Sequence, residues 1–393
     1  MIFPKLLTEQ TLASARSLFP HTSLGKIYLN HAGTSPLSIR VVGAMTNYLR
    51  ERSEGKLETY QDDLPMVAEL RSFVQRLINA ESTERIALTG NTSDAINIIA
   101  GGITWRSGDR ILLNNIEFPA NVWPYLNLKQ LGVEIDIIHS SDGRVTTEQI
   151  EQAITPRTRL VGLSAVQFLS GHRADLGAIG TICKHHGIIF AVDGIQAVGA
   201  VKLDVQAMKI DALAAGGQKW QMSPHGTGFL YLTEDLQSQI HQTNLGWLSV
   251  ADPWDFYNYN QELDRTARRF EGGSLIMPSL WGMHAALGTI LEFGLETIEA
   301  HLLALTQKLI EGFQKIEGIQ FYTPSRADER AGIVSIELPP NADPKNVFKQ
   351  LLQKGITAAV REGMLRYSPH FYCSAEEMQA TAEATAECIE SSP

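Results

Sequence analysis

Cysteine is scarce in this sequence, and what there is does not pair: Cys183, Cys373 and Cys388 are the only three, without metal-ligand spacing. So few thiols exclude a disulfide framework and fit a reducing compartment, so the chain reads as cytoplasmic. Excess positive charge is missing too. With 43 acidic and 33 basic residues the formal charge is -10, whereas a nucleic-acid partner calls for a dense basic surface. No apolar run approaches a membrane span, and the N-terminus MIFPKLLTEQTLASARSLFP, which carries Glu9, lacks the apolar core of a signal peptide. With metal, nucleic acid and membrane set aside, a small-molecule partner remains.

What is present predicts an α/β architecture. Residues 1–20 read as an amphipathic helix stopped by Pro20, followed by a brief strand at 26–29 and the small-residue turn NHAGTSPLS. Helical spacing over 39–77, interrupted near Gly55 and at Pro65, predicts two helices. From Arg85 onward, short apolar β-rich runs alternate with helical patterns, the signature of βαβ units around a mainly parallel sheet. Seven candidate strands fall at 86–89, 110–113, 134–138, 159–165, 188–192, 211–215 and 228–232. Helical spacing returns over 279–312, with a break near Gly294. A strand at 332–338, a helix at 344–354, two short strands flanking Gly363 and a last helix opened by a Ser374/Glu377 capping box complete the chain. A chain of 393 residues exceeds what one core normally serves. It reads as a large domain over 22–262 and a smaller α/β domain built from 1–21 and 263–393.

In an open α/β sheet the ligand collects outside the carboxyl ends of the strands, and four loops of this chain carry complementary chemistry. TGNTSD at 89–94 ends a strand and opens a helix. Its backbone N–H groups and the Thr92 hydroxyl suit a phosphate, while Thr92 or Ser93 would equally serve as an ordinary N-cap. The apolar run 188–192 ends on Asp193, a carboxylate that either caps the next helix or pairs with a cation such as a protonated pyridine nitrogen. Lys219 sits between two glycines and the turn SPHG; alone it is either a solvated loop charge or an amine for a Schiff base. Arg361 and Arg366 offer planar forks to a carboxylate, with a surface ion pair as the other role for Arg361. Each loop is ambiguous singly. A phosphate cradle, a partner for a ring nitrogen, an amine and a carboxylate clamp together describe a pyridoxal-phosphate enzyme acting on an amino acid.

In this order Gly90-Asn91-Thr92, Val192-Asp193-Gly194-Ile195-Gln196, Lys219 and Arg366 resemble the class V aminotransferase family of fold-type I pyridoxal-phosphate enzymes, over nearly the whole chain. The resemblance implies a homodimer with shared active sites. It implies that Thr92 and the Asn91 backbone hold the cofactor phosphate, that Asp193 pairs with the pyridine N–H, that Gln196 meets the ring hydroxyl and that Lys219 carries the cofactor. Phe270-Glu271-Gly272-Gly273-Ser274 matches a family motif whose last residue, here Ser274, reaches the neighbouring subunit's phosphate. Asn30-His31-Ala32-Gly33 matches the loop beside the substrate.

Departures from the family pattern shape the expected reaction. Phe118, after Glu117, stands where the family stacks a histidine, so an aromatic face remains without a proton to exchange. Gly216-Gly217-Gln218 replaces a Ser-x-His, leaving Gln218 as the phosphate contact from that side, and a family asparagine is replaced within 165–168. The segment 356–366 lacks the cysteine-bearing loop of the family's desulfurases, and Cys373 beyond it reads as a buried structural thiol. The combination is similar to the family's cysteine/cystine carbon–sulfur lyases. That implies β-elimination of L-cystine or L-cysteine to pyruvate, ammonia and persulfide or sulfide, with an iron–sulfur assembly acceptor as a further partner. Lys219 is then the α-proton base, and His31, His225 and Tyr367 are candidates to orient the departing sulfur. A desulfurase forming alanine, a kynureninase-like hydrolase, an epimerase or aminotransferase, and a non-catalytic protein of the same fold are the competing readings.

Overall fold

The computed structural model describes residues 6–56 and 60–391, so the first five residues of the expected N-terminal helix lie outside the described residues. The remainder of that element is the helix Glu9–Ser17, capped by Thr8. Seven strands form the main sheet: β1 (Ile86–Thr89), β2 (Arg110–Asn114), β3 (Glu134–Ile138), β4 (Thr158–Ser164), β5 (Ile189–Asp193), β6 (Ala212–Gly216) and β7 (Gly228–Leu232). Each lies within one residue of its expected bounds. Their order is β1-β7-β6-β5-β4-β2-β3, all parallel except β7, which runs antiparallel to β1 and β6.

The pattern of side chains explains this order. Every residue of β6 and β7 is buried, as expected for strands covered on both faces, which read as unbroken apolar runs. The edge strand β3 instead carries Glu134 and Asp136, both paired with Arg110 of β2; charge on an edge discourages further strand pairing. Because β1, β5 and β6 are mutually parallel, Thr89, Asp193 and Gly216 end on the same side of the sheet.

Two helices, Ile39–Ser53 and Tyr60–Ile78, pack on Met277–Phe293. Pro65 does not break the second of these as expected; it lies within the helix, near the amino end, where one missing N–H removes one backbone bond. Gly294, at φ 82°, separates Met277–Phe293 from Leu295–Phe313, because the left-handed backbone it adopts cannot continue a helix. Among the described residues no helix is long and apolar enough to cross a membrane.

The C-terminal unit is a four-stranded antiparallel sheet of β8 (Gln320–Phe321), β9 (Val334–Glu337), β10 (Ala359–Arg361) and β11 (Met364–Tyr367) in the order β10-β11-β9-β8. Glu362 and Gly363, at φ 47° and 79°, make the tight turn between β10 and β11. The short strand Ile27–Tyr28, expected in the large domain, pairs with Ile356–Thr357, and Asn30 bridges Ser368. The NHAG loop is thereby carried to the C-terminal unit and set against the carboxyl ends of the large sheet.

Candidate active site

The loop after β6 presents Lys219 from a tightly bonded turn. Gly217 donates to the Thr227 carbonyl at 2.8 Å, and Ser223 and Met222 donate back to Gly217 and Lys219 at 2.9 Å each. A Cβ on Gly217 would come within 2.4 Å of Thr227 Oγ1, so the close approach requires glycine. From the far side Ser35 fixes the loop: its N–H donates to Gln218 O at 2.9 Å and its hydroxyl to Lys219 O at 2.5 Å. Lys219 is 8% exposed, and its Nζ lies 5.3 Å from the centroid of the Phe118 ring. Burial lowers its pKa to about 8, against the pull of Asp193, with Arg366 and Arg361 adding to the fall. It is a buried amine and not a solvated loop charge.

Asp193 ends β5 deep in the sheet, with Oδ1 accepting from Ile195 N at 2.9 Å. Burial pushes its pKa up to about 7; the Ile195 hydrogen bond opposes the rise and the Glu117 charge adds to it. A carboxylate so placed gains from a cationic partner. Glu117 itself has no expected role in the sequence beyond preceding Phe118, yet it organises this part of the site. Asn114, Asn121, Gln167 and both the N–H and the hydroxyl of Ser164 donate to its two oxygens. The signal was local: Asn114, Glu117 and Asn121 follow an apolar strand at spacings that bring them together in one turn.

Phe118 is 42% exposed and meets Phe168 edge to face at 5.4 Å, which leaves its open face toward Lys219. Gln167, buried beside it, spends its amide N–H on Glu117 and leaves Oε1 without a partner. The Gln196 side chain is more committed: Oε1 accepts from Trp220 Nε1 at 2.7 Å and Nε2 donates to Ala32 O at 3.1 Å. One amide N–H of Gln196 remains for a ring hydroxyl, and Gln167 supplies the free acceptor.

The helix Thr92–Gly102 starts at the end of β1. Its N-cap is Asn91, not Thr92 or Ser93, with the Asn91 side chain bonded twice to Asp94. The Thr92 hydroxyl accepts from Gly216 N at 2.9 Å, tying the cradle to the strand that leads to Lys219. The first-turn N–H groups have no acceptor within the helix, which suits an anion. A cavity of about 640 Å³ opens here, lined by Gly90 and Asp94 and by Glu271 and Ser274 of the same chain. Gln218 is half-buried, with its side-chain oxygen near Gly216. Arg71 and Leu88 N hold Glu271, fixing the segment that carries the exposed Ser274.

On β11, Arg366 is 2% exposed. It donates to Phe168 O at 2.7 Å and to Asn30 Oδ1 at 3.5 Å, and its Nε has no acceptor. No carboxylate of the described residues pairs with it, and burial, with Arg361 nearby, lowers its pKa to about 10. Arg361 is exposed on β10 and donates to its own chain at Val360 O.

Two expected contacts go elsewhere, and Cys373 is the core thiol it was expected to be. His31 is fully buried, with Nδ1 on Ser368 O at 2.7 Å and Nε2 on the Tyr372 hydroxyl at 2.8 Å. Burial holds its pKa well below the usual histidine value, so it is a neutral core residue. Tyr367 is also buried, with its hydroxyl on Thr385. Cys373 is buried, bonded to His370 N and Tyr28 O, and burial raises its pKa, so it keeps its proton.

These residues fit pyridoxal phosphate: an amine with no hydrogen-bond acceptor faces an aromatic plane, a buried carboxylate forms no ion pair among the described residues, Gln167 Oε1 lacks a donor, and a helix start lies open to an anion. Residues 27–380 match the family model for class-V aminotransferases. A probable cysteine desulfurase of Methanothermobacter thermautotrophicus is 32% identical over 385 residues, covering 92% of this chain and 94% of that protein. One from Pyrococcus abyssi is 30% identical over 386 residues, covering 93% and 94%. The apo cysteine desulfurase of Thermococcus onnurineus NA1 superposes with a TM-score of 0.88 at 27% identity, covering 96% of this chain and 98% of that one. The cystine C-S lyase C-DES, in complex with cysteine persulfide, shares the fold with a TM-score of 0.86 at 24% identity, over 94% of this chain and 99% of that one. The chain belongs to the class V aminotransferase family, and its cofactor is pyridoxal 5'-phosphate.

Proposed function

We propose that this enzyme is a carbon–sulfur lyase that eliminates the Cβ sulfur of L-cystine, and also of L-cysteine. The names of the relatives support a sulfur amino acid as the substrate class. The observation that carries elimination over desulfuration is the state of the thiols. All three cysteines are buried, and the one nearest the site in sequence, Cys373, is a bonded, protonated core thiol. The β10–β11 connection is a two-residue turn and carries no cysteine.

In this mechanism Arg366 binds the substrate carboxylate, held in place by the Phe168 carbonyl and Asn30. Burial keeps a usable fraction of Lys219 neutral near pH 8, and its amine takes the α-proton. The bound cofactor supplies an electron sink for the electrons left on Cα. With the cofactor bound, Asp193 would hold the proton on the ring nitrogen, and Phe118 would offer its face to the ring. The Cβ–S bond then breaks with its electron pair on sulfur. Cystine and water yield pyruvate, ammonia and cysteine persulfide; cysteine and water yield pyruvate, ammonia and hydrogen sulfide. The disulfide substrate is favoured because a persulfide is the better leaving group.

The active assembly is a homodimer in which Ser274, exposed at the rim of the cradle, serves the neighbouring site, and the released persulfide feeds an iron–sulfur assembly acceptor. Product identity is the test. Purified enzyme given cystine yields pyruvate with little alanine, and Cys373→Ser retains turnover. Alanine as the main product, with activity lost in Cys373→Ser, would establish the second reading, a cysteine desulfurase, which the names of the relatives favour.

A further inference from the structure

Three arginines are buried among the described residues: Arg85, Arg330 and Arg366. Arg85 faces Glu84 and Glu234, and Arg366 awaits a substrate carboxylate. Arg330, 6% exposed, has no carboxylate partner. Its NH2 donates to Gln307 Oε1 at 2.8 Å, its Nε is sealed without an acceptor, and its NH1 makes no hydrogen bond. Burial lowers its pKa with no acidic group to counter the fall. A buried guanidinium without an anion is costly to keep, so its retention calls for a partner from outside the chain.

Arg330 borders a cavity of about 410 Å³, within the range of small-molecule sites. Gln307 of the helix Leu295–Phe313, the segment 321–325, and Asp142 with Arg144 line it. Thr323 Oγ1 accepts from Ser335 N at 2.8 Å, which leaves its own hydrogen to donate; Ser325 adds a second hydroxyl. The one carboxylate in the lining, Asp142, is ion-paired with Arg144 at 2.8 Å and accepts a hydrogen bond from the Ser140 hydroxyl. The lining is net positive in a chain of formal charge -10.

We propose that Arg330 anchors a second small-molecule site, which takes an oxyanion, carboxylate or phosphate, of a ligand that fits this cavity. The site is separate from the Arg366 clamp and does not rest on the proposed reaction. It is nevertheless joined to the clamp. Arg330 bridges His172 in backbone pairing, Arg173 N donates to Glu329 O at 2.8 Å, and the Ser170 hydroxyl donates to Gly143 O at 2.6 Å. Residues 329–330 and Gly143 thus brace the turn 167–173, which carries Gln167 and the Phe168 carbonyl that holds Arg366.

The test is thermal unfolding of the holoenzyme, with its phosphate cradle filled, titrated with inorganic phosphate or with succinate against sodium chloride of matched ionic strength. Wild type is expected to show a saturable rise in Tm of a few degrees, and the probe with the lower half-saturation concentration identifies the favoured group. Arg330→Gln removes the anchor and Gln307→Glu supplies a carboxylate in cis. Both should lose the saturable rise, and Gln307→Glu should have a higher Tm without added anion. General salt stabilisation, or binding at Arg366, persists in both variants. A wild-type response no larger than that of the variants overturns the proposal. Should Arg330→Gln fail to fold, Gln307→Glu alone decides, because it keeps an acceptor for the Arg330 guanidinium and adds the missing negative charge.

Discussion

Lys219 and Phe118 face each other at 5.3 Å from amine to ring centroid. They come from loops on either side of Asp193, after β6 and β2, and the Asp193 charge acts on the Lys219 amine. The Lys219 amine makes no hydrogen bond among the described residues, whereas the loop carrying it is fixed by Ser35 and Met222. A rigid turn holding an otherwise unused amine is the feature from which the predictions start.

Replacing that amine should remove both the cofactor link and the base. Lys219→Ala is expected to lose the visible absorbance of lysine-bound cofactor and all measurable turnover. A variant that keeps both, seen by absorption spectroscopy and a pyruvate assay, would refute the central assignment.

The same group links stability to pH in cofactor-free protein. Its folded pKa, about 8, lies below the ordinary 10.5, so between these values the unfolded chain binds more protons. Stability therefore rises with pH across that window. Asp193 has the opposite sign: raised from 3.8 to about 7, its contribution is present at low pH and fades as pH climbs through 7. Burial of the three cysteines, whose pKa values are raised, works the other way in both proteins, so the difference in urea-unfolding stability between wild type and Lys219→Ala should grow in favour of wild type from pH 8 to 10.5.

Glu117 accepts from five donors in a buried pocket. Glu117→Gln turns an N–H toward one of those donors and should destabilise the protein by about 1–3 kcal/mol, the cost of an unsatisfied buried group. Because Gln167 and Phe118 depend on it, the bound cofactor's absorbance should also shift. Unchanged urea midpoint and spectrum would leave Glu117 without a positioning role.

Arg366→Lys replaces a fork with a point charge and abandons either Phe168 O or the substrate. A fall in kcat/KM of roughly 10- to 100-fold is expected, corresponding to about 1.5–3 kcal/mol for a hydrogen bond to a charged group. Steady-state kinetics with cystine measure it; a loss confined to kcat would point to a different role.

Much of this protein was written locally. The seven strands appear within a residue of their expected positions because burial on both faces demands short apolar runs, visible in the chain itself. The Ser374 capping box and the break at Gly294 depend only on neighbours in sequence. Lys219, Asp193 and the helix start at Thr92 were legible because strand ends of a parallel sheet collect on one side. Which polar groups are already satisfied was decided by tertiary structure alone. His31 and Arg366 are equally plausible in sequence, yet His31 meets Ser368 and Tyr372 while Arg366 finds no carboxylate. Gln196 is held by Trp220, Glu117 gathers donors from β2, β4 and the 167–173 turn, and Arg330 is buried against Gln307. Periodicity fixes which face of an element is buried. The partner that waits there comes from a distant part of the chain, and only the packed fold determines whether a buried charge has one.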